Sequence, residues 1–172
     1  MSSNDDLLAT LAAERAIKDA LVRFCRGADR RDDELIRSAF HPDAYDDHGA
    51  YSGDVEGFIR WQRERHADIP QCMHLLGNCT IEIDGRQAFT ETYCLAVISK
   101  PNPDGSFSQS SIACRYIDRF EERETGWRIA HRHVSYDWMK EERLPRLLPD
   151  GLSGALRSKA DVSYRIRELE PA

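Results

Sequence analysis

The chain has 172 residues, 41% hydrophobic and 31% charged, which suits one domain with a single core and is too short for two. Its 24 Lys and Arg against 30 Asp and Glu give a formal net charge of −6, and the basic residues are scattered, which disfavours a nucleic-acid partner. Apolar runs fall well short of the roughly 20 residues a bilayer span requires, so no membrane partner is expected. The first residues carry acids where an export signal would carry basic groups. Five cysteines, Cys25, Cys72, Cys79, Cys94 and Cys114, lie in apolar segments without CxxC spacing and read as reduced core residues of a cytoplasmic protein.

Ser3, Asn4 and Asp5 offer capping side chains, and Ile17, Leu21 and Phe24 fall on one face of a first helix expected to end near Gly27. A second helix is expected from Asp32 to Phe40, closed by Pro42, and a third from Asp54, with Val55, Phe58, Ile59 and Gln62 on one face. After Pro70 the pattern changes to strands at Cys79 to Ile83, Ala88 to Ser99, Ser110 to Glu122 and Trp127 to Tyr136. Asp84-Gly85 and Glu124-Thr125-Gly126 supply hairpin turns, and Pro101 to Gly105 a longer loop. The expected fold class is α+β, a curved antiparallel sheet packed around three N-terminal helices. Residues 1–143 form this domain, and 144–172 a tail that wraps the surface or contacts a neighbouring subunit.

No phosphate-cradling glycine loop, HExxH or GxSxG occurs, so neither an organic cofactor nor a metal is expected. Asp29, just beyond the first helix, is either a loop acid paired to a nearby arginine or a buried carboxylate supporting a histidine base. His74, in apolar company before the first strand, is either a satisfied core residue or that base. His41, Asp43, Asp46, Asp47 and His48 invite a metal reading, but in an extended stretch Asp46 and His48 share a face while Asp47 points away, so at most two ligands converge. On the last strand His131 and His133 share the parity of Trp127 and Ile129, whose core character favours His133 in a pocket. Arg115 is either an anion or carbonyl clamp or an edge salt bridge.

Several segments in order, FCRGADRRDDELIRSAFHPDAYDDHGAYSG, MHLLGNCTIEIDG and CRYIDRFEERETGWRIAHRHV, resemble the SnoaL-like branch of the nuclear transport factor 2-like superfamily. That resemblance implies a cone of mostly antiparallel strands around three helices with a deep apolar pocket. Members such as scytalone dehydratase, bile-acid 7α-dehydratase and hexachlorocyclohexane dehydrochlorinase are cofactor-free lyases with an acid after the first helix and a histidine at the first long strand. Asp29 and His74 match these two positions. Phe24 stands where the dehydratases have a tyrosine, and Ala96 near where the bile-acid enzyme has a carboxylate, so proton-abstraction chemistry is better supported than any one dehydration. Phe24, Tyr51, Phe58, Trp61 and Tyr93, with His48, Arg115 and His133, are the candidate substrate-binding residues for a small hydrophobic, hydroxylated cyclic or aromatic compound.

The resemblance leaves open a non-catalytic ligand-binding or assembly module, or the small subunit of a ring-hydroxylating oxygenase. It also implies a homo-oligomer, a trimer first and a dimer second, which the mixed apolar and polar faces of the long strands suit.

Overall fold

The computed structural model describes residues 3–166. Helix α1 spans Ser3–Arg30, α2 Asp33–Ala39 and α3 Val55–Arg65; a short α4, Val162–Arg165, lies in the tail. The strands are β1 (Phe40–Asp47), β2 (Ser52–Asp54), β3 (Gln71–Asp84), β4 (Gln87–Pro101), β5 (Phe107–Arg123) and β6 (Gly126–Leu144). They form one curved, unclosed sheet in the order β2-β1-β6-β5-β4-β3. The α+β class stands, with the helices on the concave face. The sheet is mixed rather than antiparallel throughout, because β1 runs parallel to β6.

Helix α1 passes through Gly27 and ends at Arg30. It stops because Arg31 takes a left-handed φ of 54°, while Gly27 serves close packing instead: a Cβ there would lie 2.7 Å from Ile36 Cγ1. Asp29 therefore sits in the last turn of the helix, not in a loop. Strands β1 and β2 replace the extended stretch expected after Pro42, and β1 begins where α2 was expected to finish. β3 starts eight residues before the expected strand. Gly77 and Asn78 are taken up by a bulge between Leu76 and Cys79, so the ladder runs on to Gln71 and places His74 on a strand.

The core lies between α1, α3 and the concave sheet face, where Phe24, Phe40, Phe58 and Phe120 are nearly inaccessible to solvent. Phe24 meets Phe40 and Tyr116 edge to face at 5.7 Å, the geometry that aromatic quadrupoles favour. No described helix is long and apolar enough to cross a membrane.

Candidate active site

A cavity of about 310 Å³ opens between α3 and the concave sheet face. Its helical wall is Phe24, Phe58, Trp61, Gln62, Arg65 and His66, and its floor comes from the central strands, with Ala96, Ile112, Cys114, Tyr116 and Val134. His48, His74 and Tyr136 also line it. An apolar chamber with a few polar groups is the usual form of a small-molecule site.

His74 enters from β3 and is gripped by Asp29 at two points. Its Nδ1 lies 2.6 Å from Asp29 Oδ1, and its backbone N–H donates to Oδ2 at 3.1 Å. The first contact requires the proton on Nδ1, which leaves Nε2 with a lone pair and no hydrogen bond among the described residues. Burial opposes charging of the ring, but its hydrogen bonds to Asp29 and Cys72 outweigh it and hold the imidazole well above its ordinary pKa. The end of α1 that carries Asp29 is tied down from the tail, where Arg157 donates to the carbonyls of Ala28 (2.8 Å), Asp29 (3.1 Å) and Ile69 (3.1 Å).

His48 follows β1 in the turn to β2, with Nδ1 2.7 Å from Asp46 Oδ1. Its ring packs on Phe58 at 4.6 Å and Phe24 at 5.9 Å. The turn is fixed by Asp47, which accepts from Gly49 N and Ser52 Oγ, both at 2.9 Å, and by Tyr136, whose hydroxyl donates to the His48 carbonyl at 3.0 Å.

The structure gathers Asp29, His74, His48, Phe24, Phe58 and Trp61 around one cavity or directly behind its wall. Tyr51 stands behind the wall, packed on Phe58 and Trp61, with its hydroxyl on the Asp54 carbonyl. Three expectations fail. His133 lies on the convex face, 57% exposed, bonded to Asp47. The cause is a bulge: Phe120 pairs with Ile129 but Arg119 with His131, so Ala130 is an extra residue that reverses the strand's parity and turns Arg132 and Val134 inward. Tyr93 is half exposed on the convex face, because Thr92 and Cys94 take the concave positions of β4. Arg115, opposite Tyr93, is also convex and bridges Glu91 (2.8 Å) and Asp137 (3.1 Å), so it is a strand salt bridge rather than a clamp.

Several lining residues escaped the sequence reading. His66 ends α3, is buried with Nδ1 unpaired, and burial pushes its pKa down to about 4. Tyr116 and Tyr136 alternate with convex residues on β5 and β6. Only their parity could have marked them, and on β6 the bulge hides it.

Asp29, Cys72 and His74 also place three donor atoms within 4.8 Å of one another. The 2.6 Å contact is that of a hydrogen bond, and a protonated Nδ1 has no lone pair for a metal.

The fold has many solved counterparts. A hexachlorocyclohexane dehydrochlorinase, LinA type 2, superposes with a TM-score of 0.71 at 19% identity, covering 87% of this chain and 100% of that one. A scytalone dehydratase-like protein from Novosphingobium aromaticivorans gives 0.67 at 15% identity, covering 84% and 97%. At such identities the similarity describes the fold alone. In sequence, the uncharacterized protein Rv2910c of Mycobacterium tuberculosis is 28% identical over 131 residues, 73% of this chain and 86% of that protein. The SnoaL-like domain model matches residues 9–133, most of the helices and sheet that enclose the cavity, and the chain belongs to that family.

Proposed function

We propose that the protein is a lyase or isomerase in which His74 removes a proton from a carbon or hydroxyl beside a charge-delocalising group. The substrate is a small, hydrophobic, hydroxylated cyclic or aromatic compound. The observation that carries this reading is the 2.6 Å contact between His74 and Asp29 at the wall of an apolar cavity, an expensive arrangement that a purely structural core does not need. Asp29 fixes the tautomer that presents the basic Nε2 and stabilises the imidazolium formed as the proton arrives. A ring pKa above its usual value makes the neutral imidazole a stronger base. Fold relatives named as dehydratase and dehydrochlorinase support the reaction class, since both names describe eliminations.

The test is a panel of hydroxylated aromatic, steroid and terpenoid compounds incubated with the purified protein, with mass detection of lost water or formaldehyde and of isomerised product. Turnover that disappears in His74→Gln is the expected result. Tight binding of panel members with no turnover would instead identify a ligand-binding module.

A further inference from the structure

The cavity holds a second imidazole anchored as the first is, and nothing in the reaction above uses it. Resting on the reading of His74 as the base, we propose that His48 is the general acid of the same site. The protein then expels oxygen leaving groups, hydroxide or alkoxide, rather than halide.

Three observations meet at His48. Its Nδ1 is held 2.7 Å from Asp46, a fully buried carboxylate, and Nε2 makes no hydrogen bond among the described residues. The ring is fixed against Phe58, and its turn is pinned by Tyr136, so the imidazole is preorganised at the cavity wall.

The second observation is topological. β3, which carries His74, is one edge of the sheet, and β1, which leads to His48, is next to the other edge. Curvature brings both ends to one cavity, with β4, β5 and β6 as its floor. The two dyads thus reach one cavity from opposite ends of the sheet.

The third observation is the charge behind His48. Asp46, Arg132 and Asp118 are register neighbours on β1, β6 and β5, and all three are buried. Arg132 binds Asp118 through two hydrogen bonds, at 2.7 and 2.8 Å, and Asp46 Oδ2 has no partner. Asp46 thus keeps one buried oxygen unpaired beside the oxygen that holds His48 Nδ1, and the Arg132–Asp118 pair fixes the strand behind it.

The step balances without oxidant or reductant. His74 Nε2 takes the proton from carbon, and the electron pair of that C–H bond becomes the new π bond. The bond from the adjacent carbon to oxygen breaks with its pair going to oxygen, and His48 Nε2 supplies the proton that releases water or an alcohol. One proton has entered at His74 and one has left His48, and exchange with solvent restores both.

Two benzisoxazoles test this without knowledge of the natural substrate. In each, a base removes the C3 proton, the N–O bond breaks and a 2-cyanophenol leaves the ring oxygen as phenolate or phenol. The nitro group of 5-nitrobenzisoxazole makes the phenolate depart without help, whereas unsubstituted benzisoxazole benefits from an acid. His48→Gln is expected to lower kcat/KM for the unsubstituted compound about 10²-fold more than for the nitro compound. Asp46→Asn, which removes the anchor and keeps the ring, should move the same ratio in the same direction. Equal losses on both probes, or none, with His74→Gln still disabling both, would overturn the acid and leave the base. Absence of turnover of either probe by the unaltered protein would overturn the base as well. Near-UV circular dichroism shows whether His48→Gln is folded; if it is not, the Asp46→Asn ratio decides.

Discussion

Asp29 places a carboxylate in the last turn of a helix, where the backbone dipole disfavours it, and the ring and amide of His74 compensate. This exchange has a pH signature. The folded pKa of His74 lies above the ordinary value of about 6.5, so the ion pair's stabilisation is fully present below about pH 6.5 and lost as pH rises through the folded pKa. The melting temperature of the natural protein should exceed that of Asp29→Asn most near pH 6, and the gap should close on the alkaline side. The acid limb of the rate profile should move to lower pH in Asp29→Asn, because burial without the hydrogen bond depresses the ring's pKa. Both positions were singled out by the family resemblance, since the residues alone left Asp29 a loop acid or a support and His74 a core residue or a base. The place of His133 was not legible, because one extra residue at Ala130 exchanges the two faces of everything beyond it.

The elements that hold these side chains depend on a segment whose composition promised only a tail. Arg157 is buried and joins the end of α1 to the approach of β3 through three carbonyls, and Tyr164 donates to Asp32 at 3.0 Å while stacking under Arg26. Removing the guanidinium strands these acceptors. Arg157→Ala should destabilise the fold by about 2–4 kcal/mol, read from the urea midpoint, and should reduce turnover because Asp29 is no longer held. Arg157→Lys should recover only part of the loss, since an ammonium cannot reach three divergent carbonyls with the same fork. The helices and the four long strands were visible through their periodicity and turn residues. β1 and β2 were not, because His41 to Gly53 mixes acids, histidines and glycines, and its pairing with β6 joins residues far apart in sequence.

The curved sheet gives the cavity its concave floor and leaves the convex face to carry its own apolar row. Leu75, Leu95, Ala113 and Trp138 are register neighbours across β3, β4, β5 and β6, and Leu75 and Trp138 are more than half exposed. Such a row is a surface that association would cover. Light scattering should give a mass of two or three chains, with the trimer expected, and Leu75→Glu with Trp138→Glu should lower it; a mass near 20 kDa for the natural protein would contradict this. The proposed function has two side chains acting as one device, and kcat/KM for 5-nitrobenzisoxazole in Asp29→Asn, His74→Gln and the double variant measures that directly. His74→Gln should lose about 10²- to 10⁴-fold, and the double variant should be no worse than His74→Gln alone. Losses that multiply in the double variant, or a His74→Gln protein with near-normal turnover, would contradict it.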